Sequence, residues 1–156
     1  DQTFFFFFSG NGRISISAAK HGAQVAASDI SELVVKTLKQ NALDNNVSIQ
    51  IIKSDLFNQI PKQTFDIIAI NPPYYPKQAR NDLEMAWYCG VNFEYFQALF
   101  SQIKDYMDTS SLVLMVLSDG CDIPKITSIA KTNGLSFTLF HQQKIWWEKE
   151  FIFRIQ

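Results

Sequence analysis

Phe65-Asp66-Ile67-Ile68-Ala69-Ile70-Asn71-Pro72-Pro73-Tyr74 decides how this chain is read. Residues 65–70 are almost continuously apolar apart from Asp66, the pattern of a strand covered on both faces. Proline has no N–H to continue a ladder, so such a strand stops at Pro72 and Pro73. It then presents Asn71 and the neighbouring carbonyls at its carboxyl end, the edge at which open α/β sheets keep their ligand crevice.

Outward from this strand, strand-like and helical patterns alternate. The five phenylalanines of residues 4–8 are too few to span a membrane and have no cationic flank or cleavage site, so they read as a buried central strand. Residues 13–21 read as a helix with Ile14, Ile16, Ala18 and Ala19 available for packing, and residues 24–28 as a second strand. Ser31 is placed to cap a helix through Leu43, with Leu33, Val34, Leu38 and Leu43 on one side. Residues 47–52 alternate through Val47, Ile49 and Ile51 as a third strand, and residues 65–70 form the fourth. A polar stretch, 76–82, precedes a helical pattern to about Met107 with a break near Gly90. Residues 112–117 read as a fifth buried strand. Asp122-Ile123-Pro124 opens a helix with a capping acid and a first-turn proline, ending by Gly134. Residues 136–144 and 150–155 alternate and read as a terminal hairpin. The repetition predicts a mostly parallel sheet with right-handed crossovers and an antiparallel edge. With no linker or internal repeat, residues 1–156 are expected to form one domain.

Composition narrows the class. At 156 residues the chain can bury a core without disulfides or metal. Cys89 and Cys121 form no spaced motif and His21 and His141 match no zinc pattern, which points to a reducing, cytoplasmic setting and no structural metal. A formal net charge of −1 gives no electrostatic footprint for tight nucleic-acid binding.

The tetrapeptide suits one kind of chemistry. A planar amide or aromatic amino nitrogen is a poor nucleophile because its lone pair is delocalised. A catalyst must therefore hold both N–H bonds while the nitrogen pyramidalises. The Asn71 side-chain oxygen and the Pro72 carbonyl are two fixed acceptors that gain strength as charge develops on nitrogen. Tyr74 can lie against the flat acceptor group and keep it in line.

Ile70-Asn71-Pro72-Pro73-Tyr74, read with Gly10-Asn11-Gly12, Ser28-Asp29-Ile30-Ser31 and Ser54-Asp55-Leu56-Phe57, resembles the class I S-adenosylmethionine-dependent methyltransferases over nearly the whole chain. The resemblance is to the small-domain group that includes release-factor glutamine N5-methyltransferases and amino-adenine methyltransferases. It implies a Rossmann-like, mostly parallel seven-stranded sheet flanked by helices, S-adenosyl-L-methionine as cofactor, and Asn71, Pro72, Pro73 and Tyr74 as the catalytic segment. The cofactor site it implies is Gly10, Gly12, Asp29, Ile30, Asp55, Leu56 and Asn71. Gly10 and Gly12 let backbone N–H groups approach a ligand, or simply make a tight turn. Asp29, about 17 positions after Gly12, stands where related folds place an acid on ribose hydroxyls, or shares a helix cap with Ser31. Asp55 either accepts from an adenine amino group, with Leu56 beside the ring, or is a loop acid. The implied acceptor is a protein glutamine, such as that of a translation release factor. The alternatives are an amino-adenine of RNA or DNA, less favoured on charge, and a non-catalytic module that keeps the fold. No membrane partner is implied.

One departure from the family pattern stands out. An acid and a further glycine are expected before Gly10, where this chain has Phe6 and Phe8. Phe6 cannot receive the cofactor's ammonium, and the Phe8 ring would occupy the space of a close backbone approach. The departure implies weakened cofactor binding or an altered or shortened amino-terminal segment.

Other conspicuous residues have plainer expectations. Tyr75, Lys77, Arg80 and Asp82 are expected in a solvated loop rather than a lid. Of Trp146 and Trp147, one ring is expected to pack on the sheet and the other to cover a neighbouring face. Trp87, Phe93, Tyr95, Phe96 and Phe100 read as core, and Asp66 as a strand-entry acid with no catalytic task.

Overall fold

A computed structural model describes residues 2–7 and 10–156, with Ile145 by its backbone. The strands are β1 (Thr3–Phe7), β2 (Gln24–Asp29), β3 (Gln50–Lys53), β4 (Ile67–Ile70), β5 (Leu112–Ser118), β6 (Phe137–Ile145) and β7 (Glu148–Ile155). The helices are α1 (Arg13–Lys20), α2 (Glu32–Asp44), α3 (Glu94–Gln102) and α4 (Ile123–Thr132), with short 3-10 turns at Glu84–Ala86 and Ile103–Tyr106. The seven strands lie in the order β3-β2-β1-β4-β5-β7-β6. The first five are parallel, and β7 runs antiparallel to both β5 and β6. This is the Rossmann-like sheet with an antiparallel carboxyl-terminal hairpin that the sequence predicts.

The strand order reverses between β1 and β4, and such a switch point opens a crevice at the carboxyl ends of the two strands. Asp66 fixes their amino ends: its Oδ2 accepts from the Thr3 N–H and from the Thr3 hydroxyl, both at 2.8 Å, and the Asp66 N–H donates to Thr3 Oγ1 at 3.0 Å. Those donors hold the Asp66 carboxyl below its ordinary pKa, the Thr3 N–H most of all. Its task is structural, as expected, and β4 begins only after it.

The phenylalanine run is explained by alternation across β1. Phe5 and Phe7 face the larger core beneath α3 and α4, whereas Phe4 and Phe6 face α1 and α2. Phe57 joins Phe5 and Phe7 to the far wall, meeting Phe7 edge-on at 4.5 Å and stacking on Tyr106 at 4.0 Å between ring centres. The Tyr106 hydroxyl is satisfied by donating to the Ile60 carbonyl at 3.0 Å. Each such ring removed from water contributes about 1.5–3 kcal/mol.

Four sequence expectations need correction. On α2 the buried stripe is Val35, Leu38 and Ala42, while Leu33 and Leu43 are exposed. On α1, Ser15 and Ile16 are buried and Ile14 is exposed. The third strand starts at Gln50 rather than Val47, because the chain before it terminates α2. Asn46 takes a left-handed φ of 53°, its N–H donates to the Leu43 carbonyl at 3.0 Å and the Val47 N–H donates to the Ala42 carbonyl at 3.1 Å. That is a Schellman closure with asparagine in the glycine position. The helical pattern expected from residue 83 to about Met107 is realised only after Gly90, as α3 and a 3-10 turn. Before it there is just the 3-10 turn Glu84–Ala86, because main-chain bonds from Tyr74 and Tyr75 to Trp87 and from Cys89 to Tyr75 hold that segment extended against residues 74–77. Asp122 Oδ1 caps α4 by accepting from the Lys125 N–H at 3.1 Å.

The turn from β1 to α1 is a point of close approach. Gly12 is the residue before α1, with φ +78°, and a Cβ added to it would collide with Leu38 Cδ1 of α2. Asn41 of α2 also donates from Nδ2 to the Asn11 carbonyl at 2.8 Å, tying the turn to α2. Gly12→Ala should cost roughly 2–4 kcal/mol, combining left-handed strain with overpacking. Chemical denaturation should show that Leu38→Ala recovers the overpacking part when the two changes are combined but leaves the conformational part. Strict additivity of the two substitutions would show that the contact does not set the cost.

Candidate functional site

The site lies where β4 runs into its prolines. Ile70 sits opposite Phe7 on one side and Met115 on the other, so the residue after it emerges at the middle of the sheet's carboxyl edge. Asn71 is exposed, Pro72 and Pro73 are buried, and Tyr74 is half-buried. The segment after the prolines is held by main-chain bonds rather than left to solvent. The N–H groups of Tyr74 and Tyr75 both donate to the Trp87 carbonyl, at 3.2 and 3.0 Å. The Cys89 N–H donates to the Tyr75 carbonyl at 2.9 Å, and the Gly90 N–H to the Lys77 carbonyl at 3.1 Å. Tyr75, Lys77, Arg80 and Asp82 are exposed in a loop, as expected, but main-chain bonds make residues 74–77 of that loop a fixed shelf.

A cavity of about 580 Å³ opens above this edge. Asn71, Pro72 and Tyr74 line one side of it, and Gly10, Asp29 and Ile30 another. A second cavity of about 450 Å³ is lined by Asp55, Leu56 and Pro73 and shares Ile30 and Met85 with the first. Ile30 and Met85 border both cavities, and this pair of adjoining cavities is the trough open to a ligand. Among the described residues, nothing donates a hydrogen bond to the Asn71 side-chain oxygen or to the Pro72 carbonyl. Both acceptors are available to whatever enters.

Asp29 ends β2 at 8 % exposure, with Oδ1 accepting from the Ser31 N–H at 2.9 Å. Burial raises its pKa, and the Ser31 and Ile30 N–H groups oppose that rise. Ser31 in turn caps α2 through Oγ, which accepts from the Val34 N–H at 3.4 Å. The helix-cap reading and the cavity-lining position therefore hold together, in adjacent residues. Leu56 has a left-handed φ of 48°, uncommon for a leucine. The buried Ser54 hydroxyl holds that conformation by donating to the Leu56 carbonyl at 2.8 Å. Burial raises the Tyr74 hydroxyl's pKa, and its hydrogen bond to Ser118 partly offsets this. Burial pushes the Cys89 thiol up to about 11, so it stays protonated against the Tyr75 carbonyl at 3.4 Å.

Other expected positions fall elsewhere. Gly12 lines neither cavity; it faces Leu38. Phe6 is buried against Val25, Ala27 and Leu38 on the helix-covered face of the sheet; it lines neither of these cavities but borders a third, of about 790 Å³, which shares Gly10 and Asn71 with the first. Phe8 lies outside the described residues. Trp87 is not core: it is exposed and lines the first cavity, whereas Phe93, Phe96 and Phe100 are buried as expected. Contrary to expectation, Trp146 and Trp147 meet each other edge-to-face and stay 80 % and 82 % exposed at the hairpin tip, so neither ring is buried on the sheet or on a neighbouring face.

Sequence reading missed the opposite wall, Ser118 at the end of β5 and Glu148 and Glu150 at the start of β7. Ser118 carried a usable signal, since it is the first polar residue after a buried parallel strand. The glutamates did not, because only the antiparallel pairing of Ser118 with Glu150 brings them to this edge. The segment 82–87 also walls the cavity. It is shaped by Arg80, whose Nε and N–H donate to the Glu84 carboxylate at 3.1 and 2.9 Å, and by the Glu84 N–H donating to Asn81 Oδ1 at 3.0 Å. Among the described residues no group of three or more His, Cys, Asp or Glu side chains could hold a metal, and no helix is long and apolar enough to cross a membrane.

Comparison with known proteins bears on this edge. The family described as "Methyltransferase small domain" matches residues 6–88, which run from β1 through the proline segment. A proposed protein N5-glutamine methyltransferase of Methanocaldococcus jannaschii is 47% identical over 68 residues, covering 43% of this chain and 34% of that protein. A release factor glutamine methyltransferase of Streptococcus pneumoniae is 34% identical over 119 residues, covering 75% of this chain and 40% of that protein. The chain thus spans between a third and two fifths of the length of these relatives. A methyltransferase structure from Pyrococcus furiosus superposes with a TM-score of 0.73 at 18% identity, covering 99% of this chain and 74% of that one, and so shares the fold. With more than half its length matched, the chain belongs to the methyltransferase small domain family.

Proposed function

We propose that this chain is the S-adenosylmethionine-binding, catalytic part of an N-methyltransferase acting on a planar amide nitrogen, that of a protein glutamine. The observation that carries the reading is the pair of uncommitted acceptors, Asn71 and Pro72, lining a cavity whose other wall holds a buried acid, Asp29. The names of the relatives support glutamine as the acceptor and a translation release factor as the protein that carries it.

The residues present fit the cofactor. The two adjoining cavities offer room for its nucleoside and amino-acid parts, with Gly10 lining the first and Asp55 and Leu56 the second. Asp29 would accept from ribose hydroxyls, and Ile30 and Leu56 would flank the base, with Asp55 accepting from its amino group. When bound, S-adenosylmethionine supplies an electrophilic methyl group. Asn71 Oδ1 and the Pro72 carbonyl accept the two amide N–H bonds and hold the nitrogen as it pyramidalises. They bind more strongly as positive charge develops there, which is how fixed dipoles lower a barrier. Pro73 keeps the Pro72 carbonyl in place, and Tyr74, on its main-chain shelf, restricts the amide plane.

Calorimetric titration with S-adenosylmethionine tests the cofactor reading, and absence of heat would instead favour a non-catalytic module. Labelled-methyl transfer to a release factor, set against bulk RNA and DNA, tests the acceptor; label in nucleic acid alone would overturn glutamine. Asn71→Ala should lower transfer by about 100-fold or more, the scale of losing one fixed transition-state partner. The melting temperature should be unchanged, because Asn71 is exposed and bonds to nothing else.

Asp29→Asn separates stability from binding. Because burial raises the Asp29 pKa in the folded state, the stability tied to its protonated form is fully present below the ordinary value of 3.8. It is lost as pH rises through the folded-state value. Asparagine keeps an acceptor for the Ser31 N–H and never ionises. Denaturation curves should coincide below pH 3.8 and favour the variant at neutral pH. Cofactor affinity should fall by about tenfold or more, the worth of a charge-assisted hydrogen bond.

A further inference from the structure

We propose that the β6–β7 hairpin tip and the acidic rim below it dock a basic, extended polypeptide segment, the stretch of substrate that carries the acceptor glutamine. The inference rests on the glutamine reading above and names the chemistry of what surrounds that glutamine.

The tip is built to be met by something. Trp146 and Trp147 stand edge-to-face with ring centres 5.6 Å apart and planes at 86°, almost wholly in water. Such rings carry a large desolvation gain and dominate interfaces when they are covered. The tip's position is fixed by its base. The Asp119 N–H donates to the Lys149 carbonyl at 3.0 Å, and the Lys149 N–H donates back to Asp119 Oδ2 at 3.3 Å. Glu148 follows Trp147 directly and lines the cavity, so the hairpin that carries the indoles also walls the mouth through which an acceptor would reach Asn71. Across that mouth, Leu83 and Trp87 are exposed as well.

Charge decides what kind of partner fits. The described residues lining the first cavity include Asp29, Asp82, Glu148 and Glu150 and no lysine or arginine. The second cavity repeats the pattern, with Asp55 and Glu94 and again no cation. Arg80, beside the 82–87 wall, is committed to Glu84. A phosphate backbone entering these two cavities would meet carboxylates in their lining and no cation there, whereas nucleic-acid sites gather lysine and arginine. Lysine or arginine side chains of a polypeptide would find carboxylates inside the rim and indole faces at its edge, where cations are attracted to the ring.

Fluorescence anisotropy at low salt, with cofactor present, tests this using three labelled probes. They are a short peptide with a central glutamine flanked by lysines, the same peptide flanked by glutamates, and a single-stranded oligonucleotide. The lysine peptide should bind at least about tenfold more tightly than either of the others, and that margin should shrink as salt rises. Trp146→Ala with Trp147→Ala should weaken the lysine peptide severalfold while leaving calorimetric binding of S-adenosylmethionine unchanged, which also verifies the fold. Glu148→Lys with Glu150→Lys should reverse the peptide preference. Equal or tighter binding of the glutamate peptide or the oligonucleotide, or indifference to both double substitutions, would overturn the docking surface even if methyl transfer to glutamine is observed. Conversely, a preserved preference for the lysine peptide without methyl transfer would leave the docking surface standing and remove the catalytic reading.

Discussion

The site depends on the inability of two consecutive prolines to continue a β-ladder. Because β4 pairs with β1 and β5 on either side, its termination leaves a notch in the middle of the sheet rather than at its rim. The carbonyl and side chain at that notch cannot be used up by strand pairing, and the neighbouring strand ends supply the walls. Asn71 and Pro72 keep free acceptors for the same reason that β4 ends there. The fold-determining residues and the proposed catalytic residues are one tetrapeptide.

A notch is useful only if it is rigid, and the rigidity comes from both sides of the chain. Beneath it, Phe5, Phe7, Phe57 and Tyr106 form a contiguous aromatic block under the β1–β4 pair. Above it, Tyr74 and Tyr75 share the Trp87 carbonyl, so the segment after the prolines is anchored to the segment that walls the cavity. Fixed dipoles stabilise developing charge without reorganising, which requires that the groups holding them be immobile. The buried Ser54 serves the same end at the second cavity, holding Leu56 in a conformation that leucine seldom adopts.

How much of this was legible in the sequence follows from the range of the interactions concerned. The strands came from local patterns, continuous apolar runs set apart by helical segments, of which those capped by Ser31 and Asp122 were the clearest. The strand-end positions of Asp29, Asp55 and Asn71 followed from those patterns. Errors arose where a residue's fate is decided by a distant partner. Val47 looks like the start of a strand and instead closes α2, because Asn46 takes the left-handed turn that makes its N–H available to Ala42. Trp87 and Phe96 share a helical pattern, but only Phe96 falls on α3 and under the sheet. Gly12 looks like a ligand-contacting glycine, yet the atom that excludes a Cβ there belongs to Leu38 of α2. Glu148 and Glu150 have no sequence signal at all, since their place at the site is set by antiparallel register with β5.

Phe6 is the most instructive departure from the family pattern. An acid at that position would be expected to meet the cofactor, but here the position lies within β1, opposite Ala27 and Ala69, with its side chain under α1 and α2. The two alanines leave the volume that a phenylalanine ring needs, and Leu38 closes over it. The ring is therefore packed on the helix face, where it borders the third cavity and lines neither of the first two. What the substitution removes is a charge near the Gly10 end, not space. The negative charge left in the trough is held by Asp29 and by the Asp82, Glu148 and Glu150 wall, which shifts its electrostatic centre toward β7 and the hairpin tip. On the docking proposed above, a cationic group entering the first cavity would meet that acidic wall beside the hairpin, with the acceptor amide directed to Asn71.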